Sequence, residues 1–385
     1  MAIQSTLDSI TSNPISSLRT LISESLLNPL LTGSLLLYIR RNPSLLHNLP
    51  WPPAMTTIKL LPIHLPLGIP NSITLRTTPP LKTLKYLFAI GLVVQVNRIL
   101  NRLALNYWHV RKQGEAWDFA GEGKETILVT GGCSGFGREM VKMFAAGTRA
   151  NIVVLDVQEL PDDIKDLPRL SYFQADLTSP SSITSAVDLI CRDPSQTPTV
   201  LINNAGIAQA HTILETTDAW LDKIFRVNLL SHFTLIRLLL PKMMARRKGH
   251  IVSIASMASY TGTASLGDYS ATKAGVLSLH ESLVAELATR HASQGGHCIQ
   301  ASIVHPMWAR TPLVGSWEKE LARSRAPVLE PTEVASRVVA QVLRARSGSV
   351  FVPEKFWVGA LLRAMPDWVG VKSRIDTANA TARAS

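Results

Sequence analysis

Charged residues are scarce in this chain. Asp, Glu, Lys and Arg make up 17% of its 385 residues, against roughly 25% in typical soluble domains. Hydrophobic residues reach 46%. This balance favours either burial of a large apolar core or contact with a membrane.

Cysteine is also rare, and Cys133, Cys191 and Cys298 are widely spaced. The odd number and the lack of a CxxC pair exclude a disulfide framework and a cysteine-based zinc site. No cluster of His, Cys, Asp or Glu with the spacing of metal ligands surrounds Tyr269, and no GxSxG surrounds Ser256, which disfavours zinc-dependent oxidation and serine hydrolysis. We expect no metal site, and a catalytic region that faces a reducing compartment.

Acidic residues are few in the N-terminal third. Residues 1–120 hold 4 Asp/Glu against 11 Lys/Arg, whereas the remaining 265 residues hold 24 against 28. Two apolar runs, 26–39 and 84–96, lie in this basic third, and each has only 13 or 14 residues. Because about 20 residues are needed to span a bilayer, we expect in-plane or hairpin insertion. Positive charge beside apolar segments predicts contact with a membrane or lipid-droplet surface and not with nucleic acid.

The composition divides the chain into three predicted parts. Residues 1–120 form an apolar, basic, Pro-rich extension, in which 42–80 is a connecting segment because proline cannot continue helices or central strands. Residues 121–355 form the catalytic domain, and 356–385 form an apolar helix with a polar tail. The extension either anchors the protein in a membrane or covers the catalytic domain of a soluble protein.

Seven short apolar runs alternate with helical patterns in the catalytic domain. They lie at 126–130, 151–157, 171–176, 199–203, 250–256, 298–304 and 349–352. Apolar strands alternating with helices predict an α/β fold, with a doubly wound parallel sheet of about seven strands covered on both faces.

A glycine-rich turn, TGGCSGFG at 130–137, follows the first of these runs. Its backbone N–H groups, with the N-terminus of the next helix, predict a dinucleotide pyrophosphate site. Asp156 ends the second run, where an acid binds the adenosine ribose hydroxyls and repels a 2′-phosphate. NAD(H) is therefore the preferred cofactor and NADP(H) the alternative. Asp176 ends the third run and is expected either to bind the adenine or to cap the next segment.

Tyr269 and Lys273 are four residues apart in DYSATKAG, so a helix would present a phenol and an ammonium side by side. A free phenol, with a pKa of about 10, is a poor base at pH 7. A nearby cation lowers that pKa. We therefore expect Tyr269 to act as an acid/base in hydride-transfer chemistry, with Lys273 tuning it and holding the nicotinamide ribose.

These motifs together resemble the short-chain dehydrogenase/reductase family over about residues 124–355, and the resemblance implies a Rossmann-type fold. TGGCSGFG is similar to the family's cofactor motif, NNAG at 203–206 to its fourth-strand motif, and YSATK to its YxxxK active site. Ser256 lies 13 residues before Tyr269, the family's usual spacing, and Asn228 in RVNLL matches its tetrad asparagine. The resemblance implies a catalytic tetrad of Asn228, Ser256, Tyr269 and Lys273. The predicted cofactor-binding residues are Thr130, Gly131, Ser134, Gly135, Phe136, Gly137, Asp156, Asp176, Asn203, Ala205, Gly206, Tyr269, Lys273, Pro306 and Thr311.

The resemblance also implies roles for the tetrad. Ser256 would hydrogen-bond the substrate oxygen, and Asn228 would hold a water that connects Lys273 to solvent. One departure stands out: Met307 follows Pro306 where the family usually has glycine, which puts the conformation of that loop in doubt.

The apolar extension, the low-charge C-terminal segment and VHPMWARTPL are similar to the membrane-bound retinol and hydroxysteroid dehydrogenase branch of the family. That similarity implies a lipophilic alcohol or carbonyl substrate, such as a retinoid, a steroid, a long-chain alcohol or a secondary metabolite. It also implies placement at the endoplasmic reticulum or a lipid droplet, with the catalytic domain in the cytosol, and a homodimer is plausible. The alternative function is a non-catalytic dinucleotide-binding protein or membrane-surface scaffold.

Overall fold

The computed structural model describes residues 27–42, 55–59, 72–76, 80–317 and 328–382. The chain forms two compact units, Met1–Ala104 and Leu105–Ser385. The sequence placed a division after residue 120 instead. Residues beyond Ala104 belong to the second unit because they bond to its body: the Tyr107 hydroxyl donates to the Ile299 carbonyl, and the Glu115 N–H donates to the Arg247 carbonyl.

The first unit contains helix α1 (Pro29–Arg41), strands β1 (Met55–Lys59) and β2 (Ser72–Arg76), and helix α2 (Pro80–Ala104). The strands pair as an antiparallel hairpin within the Pro-rich segment. Helix α2 has 25 residues, nearly twice the apolar run that predicted it. The two helices approach closely where Gly33 faces the Phe88 ring, since a Cβ at Gly33 would lie 3.0 Å from that ring.

The second unit is built on seven parallel strands. They are β3 (Thr126–Thr130), β4 (Asn151–Asp156), β5 (Leu170–Gln174), β6 (Val200–Asn203), β7 (Gly249–Ile254), β8 (Ile299–Pro306) and β9 (Gly348–Val352). The strand order in the sheet is β5-β4-β3-β6-β7-β8-β9. The predicted α/β fold with a doubly wound, seven-stranded parallel sheet is therefore confirmed.

Helices cover both faces of the sheet. They are α3 (Gly135–Gly147), α4 (Asp162–Lys165), α5 (Pro180–Ile190), α6 (Asp218–Phe225), α7 (Ser231–Ala245), α8 (Gly267–Thr289) and α9 (Pro331–Leu343). Alternate residues of β3 point to opposite faces. Val129 therefore packs with α3 and α9 in one core cluster, whereas Leu128 packs with α5, α7 and α8 in the other.

Two features place the functional site. The strand order reverses between β3 and β6, and in such sheets ligands bind beyond the carboxyl ends of the strands at that point. After β9 the chain forms a 3₁₀ segment (Glu354–Ala364) and helix α10 (Asp367–Ala382). Of the loop that follows β8, residues 318–327 lie outside the described residues.

Candidate active site

The glycine-rich turn joins β3 to α3 in a conformation that needs glycine. Gly131 has φ +65°, and a Cβ there would lie 2.8 Å from the Ala205 Cα. A Cβ at Gly137 would collide with the Gly131 carbonyl. The turn therefore leaves its backbone open, beside the N-terminus of α3, to a phosphate group. This cradle fits a dinucleotide pyrophosphate.

Asp156 lies at the end of β4, close to this turn. Its Oδ2 accepts the Cys133 N–H at 2.9 Å, and its Oδ1 accepts the Gln158 N–H at 3.0 Å. A carboxylate has about four acceptor positions, so it can still receive ribose hydroxyls. Asp176, at the edge of the same cleft, accepts both the N–H and the hydroxyl of Thr178 at 2.8 Å, which closes a turn just before α5, whose N-cap is Ser179.

A cleft of about 1110 Å³ opens beyond the strand ends. It is lined by most of the predicted cofactor residues: Gly131, Ser134, Gly135, Phe136, Asp156, Asp176, Ala205, Gly206, Tyr269, Lys273, Pro306 and Thr311. Thr130, Gly137 and Asn203 lie behind the lining. Asn203 is buried, whereas Asn204 lines the cleft and its amide donates to the carbonyls of Thr130 and Gly131 at 2.9 and 3.1 Å.

Tyr269 and Lys273 lie together on α8 as the spacing predicted. The Lys273 ammonium is 5.6 Å from the centre of the Tyr269 ring and donates to the Ile254 carbonyl at 2.9 Å. Burial lowers the pKa of Lys273 to about 8, so the amine is still mostly charged at pH 7. It therefore presents a cation deep in the cleft.

The expected lowering of the Tyr269 pKa is not found. Burial among protein atoms raises this pKa to about 12, and the hydrogen bond with Ser256 opposes the rise only in part. Desolvation disfavours the phenolate more than the neighbouring groups favour it. At pH 7 the side chain is thus a phenol, which suits proton donation.

Ser256 lies two residues after the end of β7. Its hydroxyl accepts the Ala258 N–H at 3.1 Å and so caps a short 3₁₀ turn, and the Ser256 side chain lowers the pKa of Tyr269 against the effect of burial. His305 supports it from behind, with Nδ1 3.2 Å from the Ser256 carbonyl and Nε2 3.3 Å from the Tyr260 hydroxyl. Burial lowers the pKa of His305 to about 4, so the ring is neutral. His305 is thus a structural core residue.

Asn228 lies in a π-helical turn, Arg226–Leu230, between α6 and α7. Its Oδ1 accepts the Ile207 N–H at 2.8 Å, and its amide donates to the Ile207 carbonyl and the Thr272 hydroxyl at 2.9 and 3.2 Å. It therefore ties the loop after β6 to α8, one residue before Lys273. π-turns inside helices are frequent at functional sites.

Met307 takes the place of the expected glycine without blocking the loop. Its N–H donates to the Val352 carbonyl at 2.9 Å, and its side chain packs against the core. Thr311 faces the glycine-rich turn, since a Cβ at Gly135 would lie 3.4 Å from its methyl group. This loop thus forms the wall of the cleft next to the glycine-rich turn.

Sequence reasoning missed one wall of the cleft. Phe356, Gly359, Leu362, Ser373 and Thr377, from the 3₁₀ segment and α10, also line it. The apolar pattern of this stretch was visible, but no local signal indicates that its inner side reaches the cleft. Within the described part of the chain, no three His, Cys, Asp or Glu side chains are grouped so that they could hold a metal ion.

Comparisons with known proteins match the part of the chain that forms this cleft. The short chain dehydrogenase family profile matches residues 125–322. The chain is 35% identical over 205 residues to Dehydrogenase RED2 of Cochliobolus heterostrophus, covering 53% of this chain and 73% of that protein. It is 31% identical over 248 residues to mouse 17-beta-hydroxysteroid dehydrogenase 13, covering 63% and 78%.

Solved structures share the fold. A short chain dehydrogenase/reductase from Burkholderia phymatum in complex with NAD superposes with a TM-score of 0.57 at 22% identity, covering 65% of this chain and 95% of that one. A 4-hydroxyisoleucine dehydrogenase complexed with NADH gives 0.51 at 24% identity, covering 59% and 96%. Both likenesses establish the fold of the second unit.

Proposed function

This chain belongs to the short-chain dehydrogenase family, and on that premise we propose that it is a membrane-associated, NAD(H)-preferring dehydrogenase of lipophilic alcohols and reductase of the matching carbonyls. Membership makes it an NAD(P)-dependent oxidoreductase acting on CH–OH groups. One observation carries the finer proposal: Tyr269, whose pKa is raised by burial and lowered in part by the nearby Ser256 side chain, packs against an apolar cluster that includes Leu266, Trp308 and Val314. An apolar substrate fits this end of the cleft.

We propose that Tyr269 transfers the proton. The nicotinamide cofactor supplies the hydride acceptor in oxidation and the hydride donor in reduction. In its phenolate form the Tyr269 Oη takes the hydroxyl proton of the alcohol in oxidation, and in its phenol form it gives a proton to the carbonyl oxygen in reduction. The Ser256 hydroxyl donates to the same substrate oxygen and stabilises the charge that develops there.

Lys273 and Asn228 support this pair in the proposal. The Lys273 ammonium favours the phenolate form of Tyr269 during oxidation and has two further N–H donors for the nicotinamide ribose. Asn228 holds the main chain of Ile207 and the Thr272 hydroxyl, so it keeps Lys273 at its place on α8. The water link from Asn228 to Lys273 remains a prediction of the family resemblance.

NAD(H) is the proposed cofactor because Asp156 is the charged group at the adenosine ribose position. Val157 and Gln158 beside it line the cleft and are uncharged, so neither offers a counter-charge to a 2′-phosphate. The phosphates would lie on the turn around Gly131 and Gly135, and the nicotinamide would lie between Tyr269 and Thr311.

A substrate panel tests the proposed reaction. Purified full-length protein in detergent is expected to reduce NAD with at least one retinoid, steroid or long-chain alcohol, and to oxidise NADH with the matching carbonyl. Glycerol and other short polar alcohols are expected to react poorly, because they leave the apolar cluster around Leu266 unfilled. Turnover of no lipophilic member would refute the proposal.

We propose that α2 inserts into a membrane. The helix is about 37 Å long, and only 6% of its most apolar stretch is buried within the protein. Val93 and Val96 are exposed in its apolar stretch. Lys82 and Lys85 precede this stretch and Arg98 and Arg102 follow it, so that their long basic side chains can reach the lipid headgroups. We place the protein at the endoplasmic reticulum or a lipid droplet with the second unit in the cytosol, because its three cysteines are free.

Carbonate extraction tests this anchor. Wild-type protein is expected to stay with the membrane pellet, and the double variant Val93→Asp, Val96→Asp to enter the supernatant. A charge at the bilayer centre costs about 2.5–3.5 kcal/mol on insertion scales. Asn101→Asp, a new charge near the end of the same helix, should stay in the pellet. Release of the wild type would instead support a soluble reductase.

A further inference from the structure

A buried carboxylate lies next to the proposed proton-transfer residue. Asp268 is in the first turn of α8, and its side chain is only 3% exposed. Its Oδ1 accepts the backbone N–H of Tyr269 at 2.7 Å, and its Oδ2 accepts the indole N–H of Trp220 at 2.6 Å. No family motif in the sequence points to this residue.

His211 completes the cluster. Its Nε2 lies 3.3 Å from the Asp268 Oδ2, within ion-pair distance but outside hydrogen-bond geometry. Its ring meets the Trp220 ring edge-on, with 6.1 Å between centres and 87° between planes. Its backbone N–H donates to the Ser265 carbonyl at 3.0 Å. The loop after β6 is thus joined to the loop before α8 at this point.

The carboxylate is held in one orientation. A buried charge is costly unless its oxygens are hydrogen-bonded, and here each oxygen has its own donor. The N-terminal turn of a helix also favours a negative charge. One side chain therefore sets the position of the Tyr269 main chain and the angle of the Trp220 indole at the same time.

Both groups held by Asp268 face the reaction space. Tyr269 and Trp220 line the cleft, and Leu266, two residues before Asp268, belongs to the apolar cluster beside Tyr269. Trp220 is half-buried, with its N–H turned inward to Asp268. The flat face of the indole is then available as a wall for an apolar substrate.

We propose that Asp268 is a positioning residue for the reaction and that Trp220 is a specificity-determining residue, the two acting through their shared hydrogen bond. This inference rests on the proposed function. Asp268 sets the place of the Tyr269 phenol relative to the substrate carbon, and Trp220 sets how well a bulky apolar substrate fits. Misplacement of reacting groups by about 1 Å can cost on the order of 100-fold in rate.

The variant Asp268→Asn distinguishes this positioning role from a general effect on packing. The Tyr269 and Trp220 N–H groups approach different oxygens of the carboxylate, and an amide replaces one of these oxygens by NH₂, so in Asp268→Asn one of the two donors faces another donor. Trp220→Phe removes the indole donor and keeps an aromatic wall. In the double variant, the amide oxygen of Asp268→Asn is free to face the Tyr269 N–H. The two substitutions are therefore expected to be strongly non-additive.

The test is a double-mutant cycle on the full-length protein with a bulky lipophilic alcohol from the panel. Asp268→Asn is expected to lower kcat about tenfold or more, with NADH affinity unchanged. Trp220→Phe is expected to raise KM about threefold or more with little change in kcat. The double variant is expected to recover kcat to within about threefold of wild type. Asp222→Asn, the same change at an exposed position of α6, should alter neither constant.

Tryptophan-labelled protein provides a readout that does not need activity. The indole N–H signal of Trp220, assigned by its loss in Trp220→Phe, is expected downfield of the other seven tryptophans and shifted upfield in Asp268→Asn. An unshifted signal in the wild type, a normal kcat in Asp268→Asn, or a double variant as slow as Asp268→Asn would overturn the inference while the proposed function stands. If the wild type turned over no alcohol of the panel, both the inference and the proposed function would be refuted.

Discussion

Tyr269→Phe is expected to lower kcat/KM for alcohol oxidation and for carbonyl reduction by about 1000-fold, the middle of the range for loss of a general acid/base. The substitution removes the Tyr269 hydroxyl at the apolar end of the cleft and keeps the ring that packs there. Steady-state assays in both directions measure the effect. NADH binding, followed by fluorescence, should stay within about twofold of wild type, because the ring still shapes the cleft.

Tyr107→Phe is the matched control for this prediction. Its hydroxyl donates to the carbonyl of Ile299, the first residue of β8. This contact therefore lies at the amino-terminal ends of the strands, whereas the cleft lies beyond their carboxyl ends. Loss of that bond should reduce stability by about 1 kcal/mol and leave kcat/KM unchanged. If Tyr269→Phe were as active as Tyr107→Phe, the proposal that Tyr269 transfers the proton would be wrong. If Tyr269→Phe kept both the cellular location and the cellular phenotype of the wild type, the result would favour the alternative of a non-catalytic scaffold protein.

The second large effect concerns cofactor choice. Wild-type protein is expected to use NAD at least about 100-fold better than NADP in kcat/KM, since like charges in contact cost several kcal/mol and tenfold corresponds to about 1.4 kcal/mol. The pair Asp156→Ser, Val157→Arg removes the carboxylate and adds a cation at an exposed, cleft-lining position. That variant is expected to prefer NADP.

Asp166→Ser, the same loss of an acid at an exposed position outside the cleft lining, should keep the wild-type preference. Comparison of kcat/KM for the two cofactors at one pH is sufficient. A wild type that prefers NADP would contradict the role given to Asp156. Ser at position 156 retains one acceptor for the two N–H groups of Cys133 and Gln158, so a fall in melting temperature is expected in the variant.

Local patterns predicted the catalytic unit well. The sheet was readable because buried parallel strands are short, continuous apolar runs, as in TILVT and NIVVLD. Tyr269 and Lys273 were placed together because four residues make about one helical turn. The glycine-rich turn was readable because a side chain at Gly137 would collide with the Gly131 carbonyl.

Other features depend on contacts between distant segments. Asn203 was predicted at the cofactor, but it is its neighbour Asn204 that reaches back to the carbonyls of Thr130 and Gly131. Successive residues at a strand end point in different directions, and the sequence does not indicate which one faces the cleft. The pKa of Tyr269 was misjudged for a related reason: a neighbouring lysine is visible in the sequence, whereas burial is not.

The order of strands and helices, the cofactor turn and the Tyr269–Lys273 pair follow from short-range pattern, since each needs only neighbours within one turn or one strand. The Asp268–Trp220 hydrogen bond and the wall of the cleft formed by the C-terminal segment arise only on folding. Trp220 and Asp268 are separated by 48 positions in the chain, and their bond depends on how α6 meets the start of α8. Phe356 and Leu362 reach the cleft because the chain turns back over the sheet after β9. The spacing of residues within a short motif does not indicate which distant segments of the chain come into contact on folding.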